Sequence, residues 1–122
     1  VLDEGVADSV GRVLEENGHR VIYANKEIPG SSDLVVCAFA ELNRSILVAI
    51  DGDMKQIAKN HGVGSGRFKR LSLLKISCRE WVAAERVSQL MTLIEHEWKH
   101  SPTPDGRRLF VEIKDTVVSS FR

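Results

Sequence analysis

The sequence predicts an α/β fold, a three-layer sandwich around a central and mostly parallel sheet. Three observations carry that expectation. Short β-branched or apolar runs alternate with stretches of helical period. The links between them are short, as they are where helices return the chain to a parallel sheet. The run 45–50 (SILVAI) is continuously apolar after its first residue, which suits a strand covered on both faces. The 122 residues, 43% of them apolar, suit a single domain over 1–122 whose core needs no covalent staples.

Each element has its own local reason. Val1 and Leu2 form the end of a first strand, and the lack of an initiator Met implies that this strand begins before Val1. Val6, Val10, Val13 and Leu14 share one face of a first helix, and Gly18 supplies its stop. Residues 20–24 (RVIYA) form a second strand that ends at the Pro29-Gly30 turn. Ser31 and Ser32 can cap a second helix with Leu34, Val35, Ala38, Phe39 and Leu42 on its apolar face. The strand 45–50 stops at Asp51, and a short helix over 54–60 leads into a loop with glycines at 62, 64 and 66. Residues 71–76 (LSLLKI) form a fourth strand. Ser77 with Glu80 has the pattern of a capping box, and Val87, Leu90, Met91, Ile94 and Trp98 repeat through one long helix that stops before Pro102. The tail 109–121 alternates either as a hairpin around Lys114 and Asp115 or as one strand with an irregular end.

Composition excludes a membrane span, since no apolar run approaches the ~20 residues it requires. It also lacks a basic-then-apolar leader and any low-complexity tract. Cys37 and Cys78 lie in apolar-rich stretches, as buried free thiols do in a reducing cytoplasm. The formal net charge of zero conceals a split: residues 1–54 carry −6 and residues 55–122 carry +6. Seven bases and no acid lie between Lys55 and Arg79. Such an asymmetry suits a polyanion-facing surface beside an acidic site, and equally a solvated loop.

In parallel α/β sheets the working site lies at the carboxyl ends of the strands. Asp3 and Glu4 follow the first strand, Asp51 and Asp53 follow the third, and Asp33 opens the helix after the second. Carboxylates gathered at one edge repel unless a cation joins them. A hard divalent ion, Mg²⁺ or Mn²⁺, is the matching guest. Each of these acids also has a structural explanation, because Asp and Glu cap helices and complement the helix dipole.

These residues carry a family resemblance. LDEGVADSVGRVLEENGHRVIYA resembles the opening of the small bacterial PIN-like domains, in which an L-D-E-N strand end precedes an amphipathic helix and a G-H-x-V strand. SSDLVV resembles the family's acidic helix start, and ILVAIDGDMKQIA resembles its third-strand motif, usually a strand followed by T-x-D-x-D-F. LSLLKISCRE, the long helix and the terminal strand pair match the closing elements, so the resemblance spans nearly the whole chain. It implies a PIN-like fold and a metal-dependent ribonuclease. Asp3, Asp33, Asp51 and Asp53 are then the catalytic, metal-binding acids, and Glu4 takes the second acidic position. Many small members are the toxin of a toxin–antitoxin pair, so the expected partners are RNA, a cognate antitoxin protein and a second copy of the chain.

The chain departs from the pattern at Gly5, where Asn is usual, at Ala49, where Ser or Thr is usual, and at Met54, where an aromatic residue is usual. Loss of such orienting groups costs a site ~10–100-fold. A second reading follows, a PIN-like domain that binds protein or nucleic acid with little or no catalysis. Lys55, Arg67, Lys69 and Arg70, the last three around Phe68, supply cations and a ring for gripping a single strand. The remaining aromatics, Phe39, Trp81, Trp98, Phe110 and Phe121, fall mostly on apolar positions and are expected in the core or an interface. His96-Glu97-Trp98-Lys99-His100 matches the H-E-x-x-H zinc-protease signature. It lacks a following third histidine, and cations in a last helical turn have a simpler role against the dipole.

Overall fold

A computed structural model describes residues 1–50, 71–100 and 109–120. Among them are five helices, α1 (Asp8–Glu16), α2 (Ala24–Glu27), α3 (Asp33–Leu42), α4 (Glu80–Gln89) and α5 (Met91–His100). Four strands, β1 (Ile46–Ile50), β2 (Ser72–Ile76), β3 (Phe110–Ile113) and β4 (Val118–Ser120), form one sheet in the order β1-β2-β3-β4. The first three run parallel, with Val48 beside Leu74 and Lys75 beside Glu112, and β4 pairs antiparallel with β3. The tail is therefore a hairpin, closed by the Lys114 N–H donating to the Val117 carbonyl at 2.8 Å.

The sheet continues past β1 through single bridges. Leu2 lies parallel to Val48 on one side and to Tyr23 on the other. The Asp3 N–H donates to the Val48 carbonyl at 2.9 Å, and the Leu2 N–H donates to the Ile22 carbonyl at 2.8 Å. The expected second strand over 20–24 shortens to this bridge, because the chain enters α2 at Ala24, whose N–H makes the last bond to segment 1–3 at the Leu2 carbonyl. Across the sheet the segments run 21–23, 1–3, β1, β2, β3, β4, so chain order reverses between segment 1–3 and β1.

Period-2 alternation sorts the strands onto two faces. Leu2, Val48, Leu74, Ile76, Val111 and Ile113 pack with Val10 of α1, Ala83 and Val87 of α4, and Met91 and Ile94 of α5. Val1, Leu47, Ala49 and Leu73 pack on the other side with Val36, Cys37 and Ala40 of α3. Helices thus cover both faces, which explains why β1 has no polar side. None of the described helices is long and apolar enough to cross a membrane.

Caps and stops follow local chemistry. The Ser32 hydroxyl accepts from the Val35 N–H at the start of α3. Gly18, at φ +86°, turns the chain after α1, where the His19 N–H reaches the Leu14 carbonyl at 3.1 Å. Two expectations are corrected beyond β2. Ser77 does not cap the following helix: its hydroxyl donates to Glu112 Oε2 at 2.8 Å, and Arg79 takes the cap position. The long last helix is two, broken at Leu90 (φ −101°, ψ 8°). The Ile94 N–H bonds the Leu90 carbonyl at 2.9 Å, so the helical ladder resumes at once and both segments keep their apolar faces on the sheet.

Candidate functional site

The reversal of chain order between segment 1–3 and β1 opens a crevice at the carboxyl ends of those strands, the usual place for a ligand in an open α/β sheet. Asp3 stands at that edge and is only 8% exposed. Its carbonyl accepts the Val6 N–H at 3.1 Å, forming the turn that leads to α1. The adjoining Glu4 reaches across to the loop before α3, where its Oε1 accepts the Gly30 N–H at 2.8 Å. Asp33 opens α3 behind the Ser32 cap.

Cys37, one turn beyond Asp33, joins these acids. Burial pushes its thiol up to about 12, and the carboxylates of Asp33, Asp3 and Glu41 add to that rise. Acids from the first strand end and from α3 therefore both disfavour the thiolate of Cys37. The thiol stays protonated at neutral pH. Sequence reasoning identified Cys37 as buried but missed its place beside the acids. Its i+4 spacing from Asp33 was the available signal.

The other face of the same edge holds a cleft of about 280 Å³ lined by Gly5, Ile50, Ile76, Ser77, Cys78 and Glu80, among others. Gly5 has a steric reason here. A Cβ on it would meet Ile50 Cδ1 at 3.0 Å, so Ile50 fills the space that a side chain at position 5 needs. Cys78 is half-buried, more open than expected of a core thiol.

Asp51, Asp53, Lys55, Arg67, Lys69 and Arg70 lie outside the described residues, as do the expected helix over 54–60 and the glycine loop. Among the described residues no group of three His, Cys, Asp or Glu side chains has a geometry that could hold a metal. The H-E-x-x-H stretch lies on α5, where the His96 and His100 rings approach to 4.4 Å between centroids while Trp98 packs on the core.

Of the core or interface positions expected for the aromatic residues, Trp81 is not in the core. Trp81 is 77% exposed at the start of α4, with the Arg79 guanidinium 5.3 Å from its ring centroid. The signal was present, since Ala83 and Val87 define the buried face of α4 and position 81 lies about 200° from position 83. Comparison of the chain with protein-family models, curated proteins and solved structures returns no match. Fold and edge together define an α/β domain with a mostly parallel sheet and Asp3 and Glu4 at its topological switch point.

Proposed function

We propose that the chain is a PIN-like ribonuclease dependent on Mg²⁺ or Mn²⁺, with Asp3, Asp33, Asp51 and Asp53 as the acids that hold the ion. The observation that carries this reading is Asp3, only 8% exposed at the end of segment 1–3, the carboxyl edge where chain order reverses. Carboxylate oxygens suit a hard cation. Such an ion, when bound, supplies an activated water and neutralises charge at the phosphorus oxygens. The protein's own contribution is placement. The Asp3 backbone is tied to β1 through the Val48 carbonyl, and Glu4 ties the same turn to the entrance of α3. A cognate antitoxin protein and a second copy of the chain are the partners this reading brings with it.

The test is cleavage of a single-stranded RNA, together with Mn²⁺ titration by calorimetry, on wild type and Asp51→Asn. The reading expects metal-dependent cleavage that is lost in Asp51→Asn while the fold persists. Cleavage that survives chelation overturns it. A second reading, a PIN-like module that binds with little catalysis, draws support from Gly5. The Asn usual there is missing, and Ile50 occupies its space. That reading expects salt-sensitive RNA binding, weakened by Arg67→Ala, without metal-dependent cleavage.

A further inference from the structure

We propose that the outward face of α3 is a dimer surface, on which two copies of the chain pack their α3 helices antiparallel about a two-fold axis beside Ala38. The proposal stands on α3 itself and does not depend on the nuclease reading. The sequence pattern gives α3 one apolar face for the core, with Leu34, Val35, Ala38, Phe39 and Leu42 on it. The structure corrects that face: Val36, Cys37 and Ala40 are buried, while Val35 is 49% and Leu42 83% exposed. The acids of the helix turn the other way. Asp33 and Glu41 stand four residues either side of Cys37, on its face, and both act on its buried thiol. Glu41 Oε2 is itself buried. A surface helix ordinarily shows water its charges and the core its apolar residues. With no charge from Leu34 to Ala40, α3 is apolar all round, the composition of a helix covered on both sides.

The outward stripe is its own complement. Val35, Ala38, Phe39 and Leu42 have the i, i+3, i+4, i+7 spacing of a packing face, and that spacing reads the same from either end. An antiparallel copy sets Leu42 against the partner's Val35 and Phe39 against the partner's Ala38, large against small at each place. Ala38 in the middle lets the axes approach closely, and antiparallel helices oppose their dipoles. The two ends differ in charge as well. Exposed Glu27 precedes the start of α3, and exposed Arg44 follows its end with no side-chain partner among the described residues. The two-fold axis carries Arg44 of each copy toward the start of the other helix. Lys26, the base beside Glu27, lies over the Tyr23 ring at 4.8 Å. An anionic lipid surface fits less well, because α3 itself carries no Lys or Arg. A helix of 10 residues offers less than the ~800 Å² per partner of a stable complex, so a dissociation constant above ~1 μM is expected.

Sedimentation velocity on the 122-residue chain, from ~1 to ~500 μM, is expected to show a reversible monomer–dimer equilibrium. Leu42→Asp, at a position that lies in water in the single chain, is expected to raise the dissociation constant at least ~10-fold. Its urea midpoint, measured where the chain is monomeric, is expected to match wild type. Trp81→Ala, which removes the other strongly exposed side chain, is expected to leave the equilibrium unchanged. Register is read by oxidation to a disulfide on a Cys78→Ser background. A mixture of Val35→Cys and Leu42→Cys chains is expected to crosslink. Leu42→Cys alone is not, since its two copies lie about 10 Å apart along the axis. A chain that stays monomeric throughout overturns the proposal and leaves the stripe to a different protein. A dimer unaffected by Leu42→Asp, or self-crosslinking of Leu42→Cys in place of the mixed pair, overturns it too.

Discussion

Replacing Lys75 by Met isolates a charge inside the sheet. Lys75 and Glu112 are direct partners in the parallel register of β2 and β3. Their Nζ and Oε2 atoms lie 3.3 Å apart, with side chains 12% and 14% exposed. Burial pushes the Glu112 carboxyl up, yet the Ser77 hydroxyl and the Lys75 ammonium outweigh it and hold it below its ordinary 4.5. Removing one partner of a fully buried pair costs ~3–5 kcal/mol. Both groups here retain a little solvent and Glu112 keeps Ser77, so Lys75→Met is expected to cost about 2–3 kcal/mol. At a urea m-value of ~1–3 kcal/mol/M, that moves the unfolding midpoint down by roughly 0.7–3 M. The double variant Lys75→Met, Glu112→Leu removes the stranded charge and is expected to recover most of the loss. In wild type, a carboxyl that titrates lower when folded contributes stability fully present above 4.5 and lost as pH falls through its folded value. Lys75→Met flattens that dependence. A loss under ~0.5 kcal/mol, or a double variant no better than the single, refutes the reasoning.

Gly11→Ala is expected to destabilise the fold by about 1–2 kcal/mol in thermal unfolding, since the new Cβ would meet the Tyr23 ring at 2.8 Å, outweighing the helix-propensity gain. Leu74→Ala, in a side chain 1% exposed between two strands, is expected to cost ~2–5 kcal/mol by urea titration. Ser32→Ala removes a long 3.4 Å cap bond on α3 and is expected to cost only ~0.5–1 kcal/mol, read in the same titration. Thiol counting with a disulfide reagent near pH 8 is expected to report Cys78 alone in the folded chain and both thiols after unfolding, because Cys37 is fully buried with its thiol at about 12. Two fast thiols in the native protein contradict that placement.

Elements with their own local signal were legible in the sequence. The 6, 10, 13, 14 spacing placed α1 on the sheet, and the unbroken run 45–50 placed β1 between two helical layers. Where sequence reasoning failed, tertiary partners decided. Ser77 sits three residues before Glu80, as a capping box requires, but a half-buried carboxylate on β3 takes its hydroxyl. No glycine or proline marks Leu90, so periodicity reads through the break between α4 and α5. The candidate site was legible in part: Asp3 and Asp33 follow from strand ends and capping chemistry, whereas Cys37 beside them and the outward Trp81 depend on which face each helix turns to the sheet.

The sheet's two described margins limit how another chain can join it. On one side β4 is three residues long and ends in serines, and on the other, segment 21–23 makes a single bridge before the chain turns helical. Neither margin offers a run of open backbone donors and acceptors long enough to template an added strand. Among the described residues, edge-to-edge pairing of copies finds no long strand to build on.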